Sequence, residues 1–70
     1  MTPVISDIAG VVATFLVEDG ASVDKGERIM DIECMKSFFP VEAPAAGIVH
    51  FKVELGEAVG QDEVVAQIEG

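Results

Sequence analysis

The sequence predicts an all-β domain, two copies of one strand unit packed on each other as a pair of small sheets. Three observations carry that prediction. The chain repeats itself, its strands alternate apolar and polar residues, and no apolar positions recur at helical spacing. Gly20, Val23, Glu27, Ile32 and Glu33 return as Gly56, Val59, Glu63, Ile68 and Glu69, each 36 residues on, and Phe15 and Val17 return as Phe51 and Val53. Ala9, Gly10 and Val12 return as Ala46, Gly47 and Val49, but 37 residues on. The first copy therefore holds one extra residue between Val12 and Phe15. In a strand, such an insertion predicts a β-bulge at Ala13–Thr14.

Each copy opens at a Gly and enters a strand. In the second copy Val49, Phe51, Val53 and Leu55 alternate with His50, Lys52 and Glu54, the period of a half-buried strand. A loop follows, Glu18 to Glu27 in the first copy and Glu54 to Glu63 in the second. Gly and Asp supply its turn chemistry, and Val23 and Val59 are expected to anchor it inward. Next comes a second strand, Arg28 to Cys34 and then Val64 to Glu69, with Met30 and Ile32 matched in role by Ala66 and Ile68. By alternation Cys34 shares the face of Met30 and Ile32 and is expected in the core, while His50 points outward. The single domain spans 1–70, with repeat 1 over about 4–34, a tip at 35–36 and repeat 2 over about 37–69.

Composition narrows the function. The chain has 70 residues, half of them apolar, enough for one small packed domain and too many apolar groups for a disordered chain. One Cys excludes an internal disulfide, and one Cys with one His does not make a structural zinc site. Thirteen acidic residues against four cations give a net charge of -9, which argues against nucleic acid and for a basic partner surface. No apolar run approaches a membrane span, and no basic, apolar leader opens the chain. A cytoplasmic, reducing location is the expectation. Cys34 and His50 both have satisfying structural readings, so no catalytic pair is assigned, and a domain this small does not enclose a substrate pocket. The carboxylates are spread over turns and outward positions and read as a solvated acidic surface, with no metal site.

What the repeat leaves over is Cys34 to Pro44, running out of one strand, round a tip and into the next copy. Met35–Lys36 occupies the tip. Two-residue hairpin tips need positive φ and prefer Asn-Gly or Gly-rich pairs, so Met-Lys is a poor local choice. A poor local choice in an otherwise consistent chain is where function is expected. Of Phe38 and Phe39, one is expected in the core and one over the hairpin, the outward one being a candidate partner contact.

Glu33-Cys34-Met35-Lys36-Ser37, set between two such repeats, resembles the attachment segment of the biotinyl/lipoyl carrier domains. The biotinyl branch, that of the biotin carboxyl carrier proteins, reads Glu-Ala-Met-Lys-Met at this place. Ala43, Pro44 and Gly47 match the family's Ala-Pro-x-x-Gly step. Two positions depart from the pattern, Cys34 for Ala and Ser37 for Met.

The resemblance covers nearly the whole chain. It implies a flattened β-barrel, or barrel-sandwich hybrid, of two antiparallel sheets related by a pseudo-twofold. It implies biotin in amide linkage to Lys36, with Met35, Ser37 and Glu33 forming the tip that a biotin–protein ligase recognises. The domain would be a non-catalytic carrier that moves a carboxyl group between a biotin carboxylase and a carboxyltransferase, in an enzyme acting on acetyl-CoA, propionyl-CoA or a similar acceptor. Because an exposed lysine amine is almost wholly protonated at neutral pH, the ligase must supply both the activated acyl group and the base. Lipoyl domains usually present Asp-Lys-Ala at the tip. Lipoate on Lys36, in a 2-oxoacid dehydrogenase-type complex, is therefore the alternative, and an unmodified structural module is the other.

Overall fold

A computed structural model describes the whole chain, residues 1–70. Eight strands follow in order: β1 (Thr2–Ile5), β2 (Gly10–Phe15), β3 (Ser22–Val23), β4 (Arg28–Cys34), β5 (Ser37–Glu42), β6 (Gly47–Phe51), β7 (Ala58–Val59) and β8 (Val64–Glu69). They form two four-stranded antiparallel sheets, ordered β1-β8-β6-β3 and β5-β4-β2-β7. The first is called the terminal sheet and the second the hairpin sheet. They face each other as a flattened sandwich, not closed into a continuous barrel, with extents of 33 × 19 × 19 Å.

Fourteen buried apolar residues fill the space between the sheets, among them Val12, Met30, Ile32 and Val41 from one and Val4, Val49, Ala66 and Ile68 from the other. The expected anchors Val23 and Val59 are both buried there. The β2 bulge sits where the slipped repeat places it. Val12 faces Ile32 and Thr14 faces Asp31, so Ala13 has no partner on β4. Two further bulges, at Ile29 and Val65, were not foreseen. Arg28 faces Glu42 while Met30 faces Val41, and Val64 faces Ile5 while Ala66 faces Val4. Each lets two consecutive side chains, Ile29 and Met30 or Val65 and Ala66, be buried where strict alternation would expose one.

The two copies are entwined. Short strand β3 pairs with β6 of the other copy, and β7 with β2. Gly20 and Ala21 clamp Val49, its N–H donating to Ala21 and its carbonyl accepting from Gly20, and Gly56 and Glu57 clamp Val12 in the same way. Gly10 and Gly47 lie so close to the neighbouring strand of their own sheet, β4 or β8, that a Cβ would run into the carbonyl oxygens of Glu33 and Glu69. That close approach is why these strands open at Gly.

Three expectations are corrected. Cys34 is only half-buried, because it stands past Ile32, the last β4 residue in the core. Leu55 is exposed: β6 ends at Phe51, and Glu57 N–H closes a turn onto the Glu54 carbonyl at 3.1 Å. The segment Cys34–Pro44 is not wholly unrepeated. Its strand β5 is the counterpart of β1, with Pro3 and Val4 returning as Pro40 and Val41. Both strands are sheet edges, where a proline removes no needed donor and discourages further pairing.

Candidate functional site

Strands β4 and β5 pair in register from Asp31 facing Pro40, through Ile32 facing Phe39 and Glu33 facing Phe38, to Cys34 facing Ser37. Only Met35 and Lys36 remain to close the hairpin. Their φ angles are 52° and 65°, both in the left-handed region, as a two-residue turn of the mirror-image type I class requires. A non-glycine residue in that region costs about 1 kcal/mol or more, here twice over. The ladder on both sides holds the turn in place regardless.

The consequence is geometric. The turn carries both side chains beyond the core. Met35 is 93% exposed, more than any other large apolar residue of the chain. Lys36 is exposed and makes no side-chain hydrogen bond or ion pair. The nearest thing to an ion pair in the molecule is the hydrogen bond between His50 Nε2 and Glu69 Oε1 at 2.9 Å, in the other sheet. Glu33 and Ser37 are exposed beside the tip, so all four sequence-predicted tip residues come together on one short hairpin end. Lys25 and Lys52 are exposed too, but Lys25 lies in the Asp24–Glu27 turn and Lys52 is tied back by its own N–H to the Val65 carbonyl at 2.9 Å. Neither stands at a hairpin end.

Phe38 and Phe39 do not divide as expected. Phe38, facing Glu33, lies on the outer face and is 61% exposed. Phe39 faces fully buried Ile32 on the inner side but is still 40% exposed, because β5 is an edge strand and Phe39 borders the hollow left open between it and β1, the edge of the facing sheet. Alternation signals which face a side chain takes, and it does not signal where the facing sheet stops.

Two shallow hollows exist elsewhere. One, of about 640 Å³, runs between the edge strands β1 and β5 past Lys25, and the other, of about 790 Å³, surrounds the stacked rings of Phe15 and Phe51. Neither is lined by Lys36. No three His, Cys, Asp or Glu side chains come together as a metal site, and no helix is long and apolar enough to cross a membrane. The arrangement suits covalent attachment: one unpartnered amine at the end of a rigid hairpin, open on all sides to a second protein.

Comparison with known proteins shows the family and the fold. The biotin/lipoyl family model, described as "Biotin-requiring enzyme", matches residues 2–68. The chain is 35% identical over 68 residues to the methylcrotonoyl-CoA carboxylase subunit alpha, mitochondrial, of Arabidopsis thaliana, covering 96% of this chain and 9% of that protein. Among solved structures, the urea carboxylase of Kluyveromyces lactis superposes with a TM-score of 0.88 at 26% identity, covering 96% of this chain and 6% of that one. The lipoyl domain of the 2-oxoglutarate dehydrogenase complex of Azotobacter vinelandii gives 0.71 at 30% identity, covering 89% of this chain and 80% of that domain. The chain thus spans less than a tenth of the length of the carboxylases it resembles.

Proposed function

This chain belongs to the biotinyl/lipoyl domain family, and we propose that it is the biotin carboxyl carrier domain of a biotin-dependent carboxylase, with Lys36 as the attachment residue. The observation that carries the reading is the strained Met35–Lys36 turn, which presents one unpartnered amine at the end of the hairpin. The residues fit the group. Biotin needs an amine that a ligase can surround, and nothing on the chain covers or pairs Lys36.

A biotin–protein ligase would recognise the tip through Glu33, Met35 and Ser37 and present an activated carboxyl group. Lys36 Nζ loses a proton to the ligase's base and attacks that carbonyl carbon. The C–N bond forms, the adenylate leaves with its electron pair, and the lysine charge is lost. Once attached, biotin supplies a ring nitrogen that carries a carboxyl group between a biotin carboxylase and a carboxyltransferase, the acceptor being acetyl-CoA, propionyl-CoA or a similar acyl-CoA. The domain's part is to hold the arm on a rigid hairpin and keep its local concentration high, on the order of millimolar for a tethered group. Thirteen carboxylates and a net charge of -9 suit brief encounters with basic partner surfaces in the cytoplasm.

Biotin is favoured over lipoate by Met35, an apolar thioether in the place where lipoyl domains usually carry Asp, and by the higher superposition score of the carboxylase. The likeness to a lipoyl domain of similar size supports the second reading, lipoate on the same Lys36.

Intact mass after incubation with biotin, ATP and a biotin–protein ligase tests the proposal. The wild-type chain, Lys25→Arg and Lys52→Arg should each gain one biotinyl group, and Lys36→Arg none. Attachment that survives in Lys36→Arg would refute the assignment. Modification only by lipoate and a lipoyl ligase would move the chain to the second reading, and modification by neither would leave an unmodified structural module.

A further inference from the structure

Two residue rows behind the tip, the hairpin sheet carries an exposed ladder across all four of its strands. Phe38 on β5 faces Glu33 on β4, Glu33 faces Val11 on β2, and Val11 faces Ala58 on β7. Directly opposed residues of antiparallel strands point to the same face, and all four are exposed, Val11 at 41%. Two large apolar side chains and an alanine thus make a stripe across the sheet, with Glu33 in its middle.

The pseudo-twofold supplies an internal control. The matching row of the terminal sheet is Ser22, Ile48 and Glu69. There the counterpart of Ala58 is a serine, and Glu69 is engaged by His50. The counterpart of Val11, Ile48, is only half-buried, and no strand residue stands opposite Glu69 where Phe38 stands opposite Glu33. Folding imposes the same demands on both rows: it accounts for an apolar residue at the place of Val11 and Ile48, and it leaves the exposed Phe38 unexplained.

We infer that the stripe Phe38, Val11 and Ala58 is the docking face for the ligase that acylates Lys36, meeting an apolar patch on that enzyme with a basic side chain set within it to face Glu33. The inference rests on the reading of Lys36 given above. Reach selects the ligase as the occupant. Before acylation the amine hangs on a lysine stem alone, so the protein surface around the tip must come up against the enzyme. Phe38 is two residues along the strand from Lys36, roughly 7 Å. After acylation the longer arm lets the domain stand further off. Charge sets the partner's chemistry: Glu33 stands exposed in the middle of the stripe, and Lys36 is the only cation at this end of the hairpin.

Steady-state biotinylation of the full chain tests the docking face, with substitutions that keep strand-forming residues. Phe38→Thr should raise the KM for the domain about tenfold with kcat within about twofold, and Val11→Thr should raise it about threefold, the pattern of lost docking surface. Leu16→Thr, equally exposed but beside the Phe15–Phe51 pair, should leave both constants unchanged. An unchanged KM in Phe38→Thr and Val11→Thr, while the wild type is biotinylated, would overturn the docking face alone. An equal rise in Leu16→Thr would do the same. A wild-type chain that takes no biotin would overturn the biotin reading of Lys36 and this inference with it.

Discussion

Met35 and Lys36 close a turn whose backbone suits Asn-Gly, and the chain keeps a thioether and an amine there instead. If the turn is held for its chemistry, repairing its backbone should stabilise the domain and abolish its use. The double substitution Met35→Asn with Lys36→Gly should raise stability by about 1–2 kcal/mol, visible as a higher urea midpoint with an unchanged slope, and should take no biotin. A lower midpoint would mean that the two side chains contribute more than their backbone strain costs. This part of the site was legible from the residues: the mismatch between turn and sequence marks it, and the family's tip motif marks it again. The setting of Cys34, Phe38 and Phe39 was not. Cys34 stands beyond the last core residue of β4, Phe38 lies on the outer face, and Phe39 borders the hollow between edge strands β5 and β1, so their exposure depends on how the two sheets meet.

At the level of strands, the repeat located one bulge and hid two others for one physical reason. Ala13 exists in one copy only, so it shifts the offset between the copies and shows in the sequence. Ile29 and Val65 are bulges in both copies at the same place, and an insertion common to both leaves the offset unchanged. Strand β5 follows from the hairpin reading of the tip, but its kinship with β1 is hidden, because the two edge strands share only the short Pro-Val signature and bury few side chains. A deletion pair separates a bulged from a regular strand. Removing Ala13 should give β2 the length and alternation of β6, keeping the fold at a loss of less than about 2 kcal/mol. Removing His50 from β6, which pairs with β8 without a bulge, should turn the rest of the strand to the wrong face and prevent folding. Thermal melts of both deletions decide the matter, and equal damage would show that the bulge is required in its own right.

For the molecule as a whole, the pseudo-twofold entangles the halves instead of setting two finished units side by side. Val12 of the first copy is clamped by Gly56 and Glu57 of the second, and Val49 of the second by Gly20 and Ala21 of the first. Ser6 exchanges backbone hydrogen bonds with Asp62 and Glu63, at 2.8 and 2.9 Å, and Ala43 with Gly26 and Glu27, both at 2.8 Å. All four clamps run between the copies, as do the β2–β7 and β3–β6 pairings and the Phe15–Phe51 stack. A chain of 70 residues has little core to spare, and each half carries only part of the fourteen buried residues. Neither 1–36 nor 37–70 should therefore fold when made alone, and each should exchange its backbone amides at the rate of an unfolded chain. The amides of Val12 and Val49 are the informative ones, since each is bonded only across the repeat boundary in this fold, Val12 to Glu57 and Val49 to Ala21. Protection of either amide in an isolated half would show that one copy is a self-sufficient unit. Its absence would mean that the rigidity of the Lys36 hairpin depends on both copies, so that a change in the terminal sheet loosens the tip as surely as one beside it.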